Sequence, residues 1–198
     1  RIPVRTKIIP VRNSSGQIIG AVELFSDKRD VLETQRRIAE LEKLSMIDAV
    51  SQAGNRRFAE LNLARLFSEF QQFGRAFSVF FVDIDHFKRV NDIFGHEVGD
   101  RTIRMVAKTL ANCVRTSDIT ARWGGEEFII LVQDVHNREL RIIAERTRVL
   151  VARSHLTTEN GLVEVTVSIG CATVKSDDTP ESLVSRADAL MYAAKKAG

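Results

Sequence analysis

Hydrophobic and polar positions divide the chain into stretches of different period. Residues Lys7–Arg12 and Gln17–Ser26 alternate on either side of Asn13-Ser14-Ser15-Gly16, which predicts two strands joined by a turn. A lone hairpin does not hold itself together in water. This piece is therefore expected to be the end of a domain that starts further upstream. Its pattern, a strand, then Asn-Ser-Ser-Gly-Gln, then Ile18 to Asp27, resembles the last two strands of a PAS sensor domain. From Lys28 to about Ile47, Gly and Pro vanish and Glu, Arg, Lys, Gln and Leu dominate. Val31, Ile38 and Leu41, followed by Leu44 or Ser45, set a loose heptad seam. One helix is expected here, either pairing two chains as a short coiled coil or packing on its own domain.

The rest of the chain repeats strand and helix periods. Asn55-Arg56-Arg57 opens a helix with Phe58, Leu61, Leu66 and Phe70 near one face. Ala76–Ile84 is a run of apolar and β-branched residues, the mark of a central strand. Gly99–Val114 reads as a helix with Ile103, Val106, Ala107 and Leu110 inward. Ile119–Trp123 and Phe128–Gln133 are short strands joined through Gly124-Gly125, and Asn137–Ser154 is an amphipathic helix. Gly161 begins a strand region that alternates strongly over Val163–Val174. Pro180 suits the first turn of a last helix running to Lys196. The order α-β-α-β-β-α-β-α predicts an α/β (α+β) sandwich of palm type. Its central sheet is mostly antiparallel and flanked by helices, with a β-hairpin in the middle. Three segments follow: 1–27, the end of a sensor-like domain; 28–47, a helical linker; and 48–198, one fully cored domain.

Composition narrows the classes. The chain has 198 residues, 44% hydrophobic and 28% charged, which is ordinary globular composition. A net charge of +3 from 29 basic and 26 acidic residues, with no dense Lys/Arg block, argues against a nucleic-acid or membrane surface. No apolar run nears the ~20 residues that cross a bilayer, and Arg1 to Arg5 carry no signal-peptide pattern. The absence of an initiator Met suggests a piece of a longer chain, whose upstream anchor, if any, is out of view. Cys113 and Cys171 stand alone without CxxC spacing, as reduced and mostly buried thiols do.

Candidate chemistry begins at Asp83-Ile84-Asp85. Two carboxylates at the end of an apolar strand are costly to bury unpaired, and period two turns them to one face of the sheet. Either a cation such as Mg²⁺ compensates them, or they serve strand-end solubility or pair with Lys88 or Arg89. The hairpin Arg122-Trp123-Gly124-Gly125-Glu126-Glu127-Phe128 adds two more acids beside glycines that permit positive φ and close approach. Alone it is a tight turn with an acidic rim. If its strand neighbours the one ending at Asp83, three or four acids converge. Such a cluster repels itself without metal and suits two-metal phosphoryl transfer. Between these elements, Asn91 and Asp100 flank a Gly-containing turn. They serve either as turn residue and helix cap or as an amide and a carboxylate that match a guanine edge.

The string Phe-Phe-Val-Asp-Ile-Asp-His-Phe-Lys-Arg-Val-Asn-Asp-Ile-Phe-Gly-His-Glu-Val-Gly-Asp (80–100), followed by Arg-Trp-Gly-Gly-Glu-Glu-Phe (122–128), resembles the GGDEF family of diguanylate cyclases almost residue by residue. Asn55-Arg56-Arg57, Val167-Ser168-Ile169-Gly170 and Ala187-Asp188-Ala189-Leu190-Met191-Tyr192 with Ala194-Lys195 add to it, so the resemblance spans about Asp48 to Gly198. It implies condensation of two GTP into cyclic di-GMP by a homodimer, each domain holding one GTP. It places Mg²⁺, or Mn²⁺, on Asp83, the Ile84 carbonyl and a hairpin glutamate. Glu126 or Glu127 also deprotonates the 3′-hydroxyl, the two roles undivided. Asn91 and Asp100 read guanine, and Lys88 and Lys195 hold phosphates. Phe87, Gly124 and Gly125 complete the substrate site, and Asp85 is less central. Arg115-Thr116-Ser117-Asp118 matches the R-x-x-D product-inhibition motif, assisted by Arg146. A cytoplasmic address is expected for this part of the chain.

The family pattern Asp-x-Leu-Thr-Gly-Leu-x-Asn-Arg-Arg becomes Asp48-Ala49-Val50-Ser51-Gln52-Ala53-Gly54-Asn55-Arg56-Arg57, losing its centre. An Arg that follows the last Lys-x-x-Gly in the family would fall beyond Gly198. Both departures bear on activity rather than on the metal site. Three other readings stand beside the cyclase. One is a degenerate domain that binds cyclic di-GMP or GTP as a signalling module. Another is a palm-fold cyclase making a cyclic mononucleotide, against which Asn91 with Asp100 argues. The third is a sensor–dimerisation module without chemistry.

Overall fold

A computed structural model describes residues 4–27, 46–135, 137–159 and 161–197. Two compact units separate, Arg1–Ser45 and Met46–Gly198. In the first, β1 (Val4–Arg12) and β2 (Ile18–Asp27) pair antiparallel, with an irregularity at Val11/Arg12. Asn13 closes the turn: its side-chain oxygen accepts from the Ser15 and Gln17 amides at 3.1 and 2.9 Å. Of the expected linker helix, 28–47, residues 28–45 lie outside the described residues. Its last position does not continue helical, because Ile47 forms a β-bridge with Gly54.

The second unit runs α1 (Arg56–Phe73), β3 (Phe77–Ile84), α2 (Phe87–Phe94), α3 (His96–Asn112), β4 (Ile119–Gly124), β5 (Glu127–Gln133), α4 (Asn137–Ala152), β6 (His155–Thr158), β7 (Gly161–Glu164), β8 (Val167–Thr173) and α5 (Pro180–Ala197). Among the described residues the main sheet is antiparallel throughout, in the order β4-β5-β3-β8. Helices cover both of its faces, which is why all eight residues of β3 are buried and apolar alternation gives way to a continuous run. On one face Phe77, Val79, Phe81, Ile129 and Leu131 meet α1 and α5. On the other, Phe80, Val82, Ile84, Phe128 and Ile130 meet α2, α3 and α4. Phe77, Phe80 and Phe128 are fully buried, and each such side chain stabilises the fold by about 1.5–3 kcal/mol.

Two expectations are corrected. The stretch before Gly99 is not a turn but two helices broken at Gly95, whose φ of +84° and ψ of 163° no helix can carry. The polar string Lys-Arg-Val-Asn-Asp hides α2, which buries only Phe87 and Val90. The alternating region after Gly161 is also two strands. Residues 161–164 pair with β6 in a separate hairpin, and the chain joins the main sheet only from Val167. The loop opening the domain is stitched to β4: Gly54 bridges Ala121, and the Arg122 amide donates to the Gly54 carbonyl at 2.8 Å. Asn55 caps α1, accepting from the Phe58 amide at 2.9 Å.

Candidate active site

Strand register brings the acids together. Asp83 lies opposite Glu127 in the β3–β5 ladder, so both carboxylates share the face that carries α5. The β4–β5 turn is two residues, Gly125 and Glu126, between the paired Gly124 and Glu127. Gly125 takes φ +50° at the first turn position, where two-residue hairpins favour glycine. The turn backbone also touches β3, since the Ile84 amide donates to the Glu126 carbonyl at 3.3 Å. The base of the hairpin is braced by aromatic contacts. Trp123 meets Phe81 edge-on at 6.2 Å, and the Arg56 guanidinium lies 4.5 Å over the Trp123 ring.

The electrostatics of this end are unbalanced. Burial pushes the Glu127 carboxyl above its ordinary value, and the charges of Asp83, Asp188 and Glu126 add to the push, against Lys195. Lys195 Nζ sits 2.5 Å from Asp83 Oδ1. Burial works against its ammonium, but Asp83 above all, with Asp85 and Glu126, holds its pKa above the usual lysine range. Lys195 is therefore engaged with the Asp83 carboxylate. Asp85 also departs from the metal reading. It accepts from Thr166 Oγ1 at 2.6 Å and Ser168 Oγ at 2.7 Å, and its amide donates to the Thr166 carbonyl at 2.9 Å. Those bonds tie the loop after β3 to β8. The next residue, His86, holds φ +54°, a strained value for a non-glycine at the start of α2.

A cation fits the donor set. Asp83 and Glu127 offer hard oxygens from adjacent strands, and the Lys195 ammonium already stands where positive charge is wanted. Among the described residues no three Asp, Glu, His or Cys side chains converge tightly enough to enclose an ion by themselves. Two carboxylates completed by phosphate oxygens and water is the arrangement Mg²⁺ favours.

The remaining candidates fall into two groups. Asn91 on α2 and Asp100 on α3 lie on the helices of the opposite face, half-buried and exposed respectively. Exposed Lys88 is in the first turn of α2. Phe87 is 7% exposed and packs in the core. Farther along, Arg115, Asp118 and Arg146 line one cavity of about 400 Å³. Asp118 closes its own turn there, accepting from the Arg115 amide at 2.9 Å and the Gln133 amide at 3.3 Å. Arg146 donates to the Cys113 carbonyl. Cys113 and Cys171 are free thiols, and burial pushes Cys171 up to about 12.

Sequence reasoning missed two participants. Asp188, which faces Glu127, lies two helical turns before Lys195, and that spacing on one helix face was the available signal. Arg122 joins distant segments: its Nε and one terminal nitrogen donate to the Gly125 carbonyl at 2.9 and 2.7 Å, the other to Asp48 Oδ1 at 3.1 Å. No local pattern encodes that link.

A family model described as diguanylate cyclase, GGDEF domain, matches residues 45–198. The response regulator PleD of Caulobacter vibrioides is 40% identical over 159 residues, 79% of this chain and 35% of that protein. Diguanylate cyclase DgcM of Escherichia coli K12 is 34% identical over 188 residues, 90% of this chain and 44% of that one. The chain thus spans less than half the length of these curated relatives. Among solved structures, the GGDEF domain of DgcB from Caulobacter crescentus, in complex with c-di-GMP, matches with a TM-score of 0.74 at 32% identity. That match covers 78% of this chain and 92% of the other.

Proposed function

Since the chain belongs to the GGDEF diguanylate cyclase family, we propose that it condenses two GTP into cyclic di-GMP, releasing two pyrophosphates. The observation that carries this reading is the cross-strand pair Asp83–Glu127 at the base of the Gly125-Glu126 turn. Asp83, the Ile84 carbonyl and Glu127 would hold Mg²⁺ or Mn²⁺. When bound, the metal offsets charge on the attacking and leaving oxygens. Glu126, at the tip of the turn, takes the proton of the 3′-hydroxyl. That oxygen bonds to the α-phosphorus of the facing GTP as its bond to pyrophosphate breaks, and the second linkage forms in the same way. Asn91 and Asp100 read guanine from α2 and α3. Lys88 and Lys195 would hold phosphate, Lys195 from its place beside Asp83.

Each domain supplies one half-site, so the working unit is a homodimer. Residues 1–27 would be the closing hairpin of a PAS-like sensor and 28–47 the linker that sets how half-sites meet, with catalysis in 48–198. Product bound at Arg115, Asp118 and Arg146 would restrain the enzyme. No helix among the described residues is long and apolar enough to cross a membrane.

The test is incubation with Mg²⁺ and either GTP or ATP, with products resolved by chromatography. Cyclic di-GMP from GTP, with two pyrophosphates per product, is expected. A cyclic mononucleotide, an ATP product or no product overturns the reading. Glu126→Gln and Glu127→Gln should each lower turnover by about 10²–10⁴-fold; wild-type rates in either would remove the assignment.

A further inference from the structure

We infer that Gly99 is a specificity-determining position: the space it leaves empty houses the Asn91 amide in the orientation that meets the purine. This rests on the reading of Asn91 as a guanine contact. Gly99 is buried inside α3, where glycine is the poorest helix former after proline, so its presence calls for a reason. It needs no unusual φ, because α3 is regular there and its amide donates to the Gly95 carbonyl at 3.1 Å. The reason is space. A Cβ at Gly99 would stand 1.9 Å from Asn91 Oδ1, 3.0 Å from Asn91 Cγ and 3.3 Å from Phe87 Cζ.

The neighbours differ in what they can yield. Phe87 is core and fixed, and its contact is close to tolerable. The Asn91 backbone is pinned, its carbonyl accepting from the Gly95 amide at 2.9 Å. The short Asn91 side chain alone can turn away. Adding a methyl group at position 99 therefore leaves the fold intact and swings the amide out of its place. The loss appears in base recognition and not in stability, the reverse of an ordinary core glycine. Gly99 is a positioning residue in this account and touches no substrate.

The experiment measures calorimetric binding of α,β-methylene GTP and α,β-methylene ATP, which resist transfer at the α-phosphorus, together with thermal melts. Gly99→Ala should weaken the GTP analogue about tenfold, the worth of one well-placed hydrogen bond. The ATP analogue should be unaffected, and the melting temperature equal or higher. Asn91→Ala should weaken the GTP analogue to a similar degree. In the Asn91→Ala background, Gly99→Ala should then change nothing, because no amide remains to displace. Unchanged GTP binding in Gly99→Ala, alongside weakened binding in Asn91→Ala, sinks the inference and spares the guanine reading. Unchanged binding in Asn91→Ala sinks the reading itself. A lowered melting temperature, or an equal further loss in the double variant, makes Gly99 a packing residue and overturns the proposal.

Discussion

Two acidic turns of this domain use similar residues to opposite ends. At the β4–β5 hairpin, Glu127 faces Asp83 and is pushed up by burial and three like charges, with Lys195 a partial offset. At the turn before β4, Asp118 spends its two oxygens on the Arg115 and Gln133 amides, and Arg146 serves the Cys113 carbonyl. The first set is unfinished: Lys195 offsets its charges only in part. The second is nearly settled within the fold and leaves chiefly the exposed Arg115 side chain facing its cavity. A surplus of like charge favours a cationic ligand, whereas a carboxylate satisfied within the fold does not need one. That is the division the proposed catalytic and product sites would show.

The largest effect should come from cutting what holds the unfinished end in position. Arg122 is the tie between the Gly125 carbonyl and Asp48, the first residue of the opening loop's turn. Asp48 resists burial and stays below the usual carboxylate range through the Ser51 amide and hydroxyl and through Arg122. Arg122→Met removes the donor for both partners, and its expected destabilisation is about 2 kcal/mol, some 4–8 °C in a melt. A hairpin displaced by ~1 Å should also lose turnover by about 10²-fold. Arg122→Lys should not restore it, because one ammonium cannot reach both oxygens in the guanidinium's planar geometry. Lost stability with full turnover would show that the hairpin holds its own shape.

The settled end is tested by separating its two halves. Arg115→Ala should weaken cyclic di-GMP binding by at least about tenfold in calorimetry, since charged hydrogen bonds contribute ~1.5–3 kcal/mol, with no change in melting temperature. Asp118→Ala should instead lower the melting temperature, because two backbone amides lose their acceptor. If Arg115→Ala binds product normally, the cavity has no inhibitory role. If Asp118→Ala melts like wild type, the turn is not settled in the way described.

The sequence carried the sheet and most helices because the signals were local. Continuous burial in β3, the Asn55 cap and a hairpin at the paired glycines each follow from a few adjacent residues, though the turn itself is Gly125-Glu126, one position later than expected. It missed α2, whose buried face is two residues, and the β6–β7 hairpin, whose alternation runs into β8 with only Val165 and Thr166 between. Within the site, residue types and spacing marked Asp83 and the hairpin acids, but only register put Glu127 rather than Glu126 opposite Asp83. Asp85 shares its motif with Asp83, but the hydroxyls of Thr166 and of Ser168 on β8 take it for loop geometry. The hydroxyl partners of Asp85, the Asp83 partner of Lys195 and the Asp48 partner of Arg122 lie 74 to 112 positions away, a distance at which no pattern in one sequence speaks.

The smallest effect bears most directly on the contrast, because it asks whether the hairpin end is electrostatically unfinished. Glu127 is half-buried and its carboxyl titrates above the ordinary 4.5. Between 4.5 and that raised value the folded chain binds more protons than the unfolded one, so stability falls as pH rises through the window. Above it the ionised carboxylate opposes the fold in full. Glu127→Gln carries no charge and escapes this. Discounted for solvent screening, the variant should be more stable than wild type by roughly 0.5 kcal/mol at neutral pH, about 1–2 °C. The gain should shrink to nothing as pH falls below 4.5, where the wild-type side chain is also neutral. Saturating Mg²⁺ should raise the wild-type melting temperature and erase the variant's advantage, since only the carboxylate completes the ion's ligands. An advantage that persists unchanged at low pH would trace to packing or hydrogen bonding. The acids of the hairpin would then be as settled as those of the Arg115 turn.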